Sequence, residues 1–231
     1  MDDLTILYIS ASRVPTGWRD YQIACLREAA GNAPIISVTR TPLDLGTNIA
    51  DDGPHSYWNI YMQMLRAARL ADTPFVAMAE DDTLYTREHF TEFRPQPHQV
   101  SYDRSRWSLF TWDTLYCMRQ RISNCSLIAP TALLVEALSE RQAAWPNGAP
   151  SEIVGEVGRK VIDQRLRVTP RSMIEWYCNS PIVQLNHPTG TDTGASYRMN
   201  GRKMVKKHGQ MKAYDIPHWG KAIDIIERYA A

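Results

Sequence analysis

The chain has 231 residues, of which 44% are apolar, and its net charge is +1, so it can build one full core that needs neither disulfides nor metal to fold. Its four cysteines, Cys25, Cys117, Cys125 and Cys178, are widely spaced, without a C-x-x-C pair or zinc spacing, and read as reduced core residues. The acidic start Met-Asp-Asp-Leu-Thr argues against a signal peptide and no apolar run reaches membrane-spanning length, so a cytoplasmic protein is expected.

Leu4–Ser10 (LTILYIS) is a β-type run, followed by a Ser, Arg, Pro and Gly loop at Ala11–Gly17. Trp18–Ala30 has helical spacing and stops at Gly31-Asn32. Pro34–Thr39 predicts a second strand, and Pro42–Pro54 is turn-rich. Ser56 caps a long helix with Tyr57, Ile60, Tyr61, Met64, Leu65 and Ala68 on one stripe, stopped by Asp72-Thr73-Pro74 before the strand Phe75–Ala79. Strand, helix, strand, helix, strand implies a right-handed parallel sheet with helices on both sides. Further on, Thr86–Phe93 predicts a short helix, Trp107–Trp112 and Ser126–Ala129 strands, and Thr131–Ala144 a helix. Ser151 can cap a helix running through Asp163, Ile182–Leu185 reads as a short strand, and Lys221–Tyr229 as a final helix. Gly190–Gly220 has no sustained periodicity, is rich in Gly, Lys and Arg, and is expected to be ordered by a ligand. No linker marks a second domain, so residues 1–231 are expected to form one.

The strand at 75–79 ends in three consecutive carboxylates, Glu80, Asp81 and Asp82. Three such charges repel one another unless a cation or strong hydrogen bonds offset them. Side chains alternate along a strand, so Glu80 and Asp82 point one way and Asp81 the other. At the carboxyl end of a sheet strand, where α/β proteins bind ligands, a converging pair suits a hard divalent cation. The competing account is a solvated acidic turn that caps the next helix through Asp82 or Thr86. Charge is divided along the chain: residues 1–100 carry 8 Lys and Arg against 13 Asp and Glu, and residues 101–214 carry 16 against 9. An acidic half that could bind metal thus precedes a basic half that could bind phosphates.

This βαβαβ half ending in an acidic Asp-x-Asp-like motif resembles the GT-A fold of nucleotide-sugar glycosyltransferases, an α/β architecture with a mostly parallel sheet flanked by helices. The resemblance implies that acids of the motif, here Glu80-Asp81-Asp82, hold Mn²⁺ or Mg²⁺ against the donor's diphosphate. It also implies a metal-ligating histidine just after a late short strand, a place held by His187 in Ile182-Val183-Gln184-Leu185-Asn186-His187-Pro188; an ordinary loop histidine is the alternative. The nucleotide would lie at the loop after the first strand, with Ser10 and Arg13, near Arg40, Asn59 and Asp81. Asp51–Pro54 could equally be a tight turn, with Ser56 only a cap. Glu152 and Glu156 occupy the address of a catalytic base, with Asp163 and Asp192 as outsiders; both glutamates could instead only favour a helix N-terminus. In the run Arg198–Lys212, residues Arg202, Lys203, Lys206 and Lys207 would clamp a diphosphate, follow a DNA backbone, or simply face solvent.

The leading expectation is a metal-dependent glycosyltransferase taking a sugar, glucose first, from a UDP-sugar. Its short format and basic, aromatic second half resemble virus-encoded enzymes that glycosylate hydroxymethylated pyrimidines in DNA, which would place it in a host cytoplasm. A glycan or protein acceptor is the alternative. So is a nucleic-acid-binding protein with an inactive transferase fold. A nucleotidyltransferase would need a Gly-rich loop after the first strand, and Ser10–Gly17 has a single glycine.

Overall fold

The computed structural model describes residues 1–119, 122–188 and 210–231. The chain runs β1 (Leu4–Ser10), α1 (Thr16–Ala30), β2 (Ile35–Thr39), β3 (Thr47–Ala50), α2 (Tyr57–Ala68), β4 (Phe75–Glu80), β5 (Thr83–Leu84) and α3 (Arg87–Thr91). It continues through β6 (Gln99–Asp103), β7 (Trp107–Phe110), β8 (Asp113–Arg119), β9 (Leu127–Pro130), α4 (Thr131–Ala144), α5 (Lys160–Leu166), β10 (Ser172–Trp176) and β11 (Val183–Asn186). After residue 209 come β12 (Gln210–Lys212), β13 (Asp215–Ile216), β14 (Gly220–Lys221) and α6 (Ala222–Ala230).

A seven-stranded sheet has the order β10-β6-β9-β4-β1-β2-β3. β1, β2, β3 and β4 are mutually parallel where they pair, and only β9 runs against its neighbours β4 and β6. This is the mostly parallel α/β sheet that the alternation of elements predicts. All seven residues of β1 are buried, as a central strand covered on both faces must be. Its side chains divide by parity. Leu7 and Ile9, with Val76 and Met78 of β4, join the core under α2 and α4. Leu4, Ile6 and Tyr8, with Ala77 and Ala79, join the core under α1 and α3. A second sheet, β12-β8-β7-β11-β5, starts from the turn that follows β4. It packs Leu109, Val183 and Leu185 against Trp18 and the apolar face of α6.

The structure departs from the sequence expectations at several places. Within the turn-rich 42–54 stretch lies β3, an exposed edge strand, and its mirror at the other sheet edge is β10. The expected helix from Ser151 to Asp163 is a 3₁₀ turn at Ser151–Ile153 followed, after a loop, by the short α5. Gly158 breaks it with a φ of 85°, a left-handed conformation that helix interiors do not accept. Gly190–Gly220 is not wholly without strands, since β12, β13 and part of β14 fall there. Cys25, Cys125 and Cys178 are free thiols, the last two buried. Among the described residues no helix is long and apolar enough to cross a membrane.

Candidate active site

The parity that sorts the core also sorts the acids at the end of β4. Glu80 continues the face of Val76 and Met78, toward α2, and Asp81 continues the face of Ala77 and Ala79. Ser10 ends β1 on the same face as Tyr8, and its Oγ donates to the Asp81 carboxylate. Glu80 and Asp82 instead line a cleft of about 520 Å³.

The backbone of this acidic turn is held from three directions. Trp18 Nε1 donates to the Asp81 carbonyl at 2.8 Å, and Gln22 Nε2 donates to the carbonyls of Thr83 at 2.9 Å and Glu80 at 3.3 Å. The Glu80 amide donates to Tyr85 Oη at 3.0 Å, and that hydroxyl donates on to the Cys125 carbonyl. Leu185 of β11 donates its amide to the Asp82 carbonyl at 2.8 Å. A turn fixed this way fixes the directions of its carboxylates.

Around the two cleft-facing acids, Thr83 Oγ1 donates to Asp82 Oδ1 at 2.8 Å. Gln184 Nε2 reaches Glu80 Oε2 at 3.1 Å and both Asp82 oxygens at 3.4 Å. His187 Nε2 stands 3.9 Å from Asp82 Oδ2, its ring 5.4 Å from that of Tyr229. Burial and mutual repulsion raise the carboxyls: Glu80 well above the usual range by desolvation and then by Asp82 and Asp81, and Asp81 up to about 7 by desolvation and then Asp82. Asp82 is raised by desolvation, against the opposing pull of His187. Burial lowers His187 despite the nearby Asp82, which favours its neutral, metal-ligating form.

The facing wall comes from the loop after α4. Glu152 of the 3₁₀ turn and Glu156 both line the cleft. Arg159 pairs with Glu156 at 2.8 Å. Buried Arg141 of α4 holds the loop by donating to the Gly155 carbonyl and to Asp163, both at 2.8 Å, and Tyr102 Oη donates to the Val157 carbonyl. Asp163, an outsider for the base, is thus a buried partner of Arg141, outside the cleft lining.

The expected metal and base residues, Glu80, Asp82, His187, Glu152 and Glu156, therefore meet in one cleft. The expected nucleotide residues do not line it. Ser10 and Asp81 are bonded to each other. Arg40 donates to the Gly53 carbonyl and pairs with Asp51, and Asn59 donates to Asp51 at 2.9 Å. Asp51 also accepts from Gln63 and Arg66, so this cluster organises the loop between β3 and α2, where Ser56 caps the helix through the Asn59 amide. Arg13 lies on the His187 side, where its charge opposes protonation of that ring. Arg202, Lys203, Lys206, Lys207 and Asp192 lie outside the described residues.

Sequence reasoning missed Arg106 and Gln184. The alternation Ile182-Val183-Gln184-Leu185-Asn186 does mark Gln184 and Asn186 as a polar face, but only the pairing of β11 with β5 and β7 brings that face beside the acids. Nothing local marks Arg106 as a buried cation, yet it is 3% exposed and lines the cleft.

The donor set fits an open cation site rather than a cage. Asp82 Oδ2 and His187 Nε2, 3.9 Å apart, lie within the span of two ligands that each sit about 2.1 Å from one cation. Among the described residues no group of three His, Cys, Asp or Glu side chains is gathered as a ready coordination sphere. Mg²⁺-type sites commonly use one or two carboxylates and leave the remaining positions to water and substrate phosphates.

No protein-family model and no curated protein sequence matches the chain. Its structure resembles several solved ones at low identity. Bifunctional IspDF from Campylobacter jejuni is 12% identical, with a TM-score of 0.45 over 77% of this chain and 50% of that one. The mannosyltransferase PcManGT from Pyrobaculum calidifontis, solved with GDP-Man and Mn²⁺, is 11% identical, with a TM-score of 0.44 over 79% and 56%. A glycosyltransferase involved in glycosylation of the major capsid of PBCV-1 is 12% identical, with a TM-score of 0.42 over 99% of both chains. The chain thus spans about half the length of the first two.

Proposed function

We propose that this protein is a divalent-cation-dependent glycosyltransferase that moves a sugar, glucose in the first instance, from a UDP-sugar to a hydroxyl acceptor. The observation that carries the reading is the cleft in which Glu80, Asp82 and His187 stand on one wall and Glu152 and Glu156 on the other. Mn²⁺ or Mg²⁺ held by Asp82 and His187, with Glu80 beside them, would neutralise the diphosphate of the donor as its bond to the sugar breaks. Glu156, oriented by Arg159, is the residue assigned to accept the proton of the attacking hydroxyl. Glu152 is the more exposed of the two and the weaker choice.

The proposed acceptor is a 5-hydroxymethylpyrimidine in DNA. Its support is the basic excess of residues 101–214, much of it in Arg198, Arg202, Lys203, Lys206 and Lys207. A glycan or protein hydroxyl is the second reading, and the cleft's own charge favours it. Four carboxylates line the cleft against Arg106 and Arg159, so the lining itself offers a polyanionic strand little excess positive charge.

The test is transfer of labelled glucose from UDP-glucose, with Mn²⁺ present, to hydroxymethylated DNA, to glycans and to water. Transfer that falls by roughly 10²–10⁴ in Glu156→Gln and much less in Glu152→Gln is the expected outcome. Absence of transfer and hydrolysis from every UDP- and GDP-sugar tried would overturn the transferase reading. Transfer to glycans, with no DNA binding at low salt, would remove only the DNA acceptor.

A further inference from the structure

The polar row across the second sheet has a chemical direction. Gln184 of β11 lies opposite Ser108 of β7 on one side and Thr83 of β5 on the other. Arg106 Nη1 donates to Ser108 Oγ at 2.5 Å and to Gln184 Oε1. The same Gln184 amide then donates through Nε2 to Glu80 and Asp82. Its carbonyl end thus faces a guanidinium and its amino end faces two carboxylates, so the amide group has one satisfactory orientation.

On the cation site proposed above, we infer that Gln184 is a positioning residue for that site. It is not a ligand, because its carbonyl oxygen turns toward Arg106 and the end that faces Glu80 and Asp82 is an NH₂ group with no lone pair to offer a cation. Its NH₂ group holds Glu80 and Asp82 toward the cleft at fixed directions despite their mutual repulsion. The amide also transmits the charge of Arg106 to them without placing a cation where the metal belongs. Carboxylate oxygens carry two lone pairs each, so a carboxylate bonded to Gln184 keeps acceptor sites for a cation. Hydrogen bonds behind metal ligands commonly set affinity in this way, and removing one costs about 10–100-fold in metal binding.

The experiment titrates the full chain with Mn²⁺ alone and reads free and bound ion by electron paramagnetic resonance, so no sugar transfer enters the result. Gln184→Leu keeps the side-chain volume and removes both ends of the amide. It is expected to bind Mn²⁺ about 10–100-fold more weakly, with a changed spectrum for the ion that remains bound. A merely structural glutamine would leave that spectrum unchanged. Ser108→Ala loosens Arg106 one link further away and is expected to weaken binding in the same direction by less; it decides the matter if Gln184→Leu does not fold. Wild-type affinity and spectrum in both variants would overturn the role of Gln184 while leaving the cation site in place. Failure of the wild-type chain to bind Mn²⁺ at all would overturn the cation site and this inference together.

Discussion

Asp81 shows how much one position depends on its face of the strand. It sits between two cleft-facing acids, yet its carboxylate turns to Ser10 under α1 and its pKa is pushed up to about 7 by burial and then by Asp82. A carboxyl with a folded pKa above its unfolded value of about 3.9 binds its proton more tightly in the native state. The sign follows: this contribution to stability is fully present below about pH 4, declines as pH rises toward 7, and is absent above it. In chelator, thermal unfolding is therefore expected at lower temperature at pH 8 than at pH 5, and Asp81→Asn should flatten that dependence. An equal slope in the variant would show that Asp81 is not the group responsible. The sequence made the alternation of the three acids legible, because period-two geometry needs only the strand. It did not show that Arg40 and Asn59 serve Asp51, since a loop's internal hydrogen bonds leave no periodic trace.

At the scale of elements, apolar runs announced β1 and β4, and helical spacing with its stop and cap signals announced α1 and α2, while edge position and polarity hid others. β3 and β10 lie at sheet edges with much of their surface exposed, so they carry no apolar run to read. β6 is hidden for a different reason. Ser101 and Asp103 are fully buried there, and Asp103 is satisfied by His89 at 3.0 Å and by Ser105. Ser151 as a cap predicts a helix through Glu152 and Glu156, and Gly158 is what makes this segment a loop. At Gly158 an added Cβ would stand 2.8 Å from Val100 Cγ2 and 3.0 Å from Met173 Cβ, on a backbone with φ of 85°. Gly158→Ala should thus destabilise by about 1–3 kcal/mol through overpacking and backbone strain. At roughly 2–4 °C per kcal/mol for a chain of this size, that is a readily measured fall in melting temperature. Gly17→Ala at the start of α1, where the added methyl meets nothing within 4 Å, should leave the melting temperature equal or slightly higher. Equal behaviour of the two variants would contradict the packing assigned to the loop.

For the whole molecule, two sheets converge on one cleft. The parallel sheet delivers Glu80 and Asp82 from β4. The second sheet delivers Gln184 and His187 on and after β11, and the loop following α4 closes the opposite wall with Glu156. Residue pattern alone does not reveal this convergence, because it depends on β11 being inserted between β5 and β7, about a hundred residues away from β4; the GT-A resemblance is what grouped His187 with the acids. On the proposed function, Asp82 and His187 hold the cation through which the cleft takes its donor. The direct measurement is calorimetric titration of UDP-glucose into the wild-type chain and into Asp82→Asn, each with Mn²⁺ and with chelator. Binding by the wild type is expected only when Mn²⁺ is present, with its loss in Asp82→Asn at an unchanged unfolding transition. UDP-glucose binding of equal strength in chelator, or wild-type binding by Asp82→Asn, would contradict it.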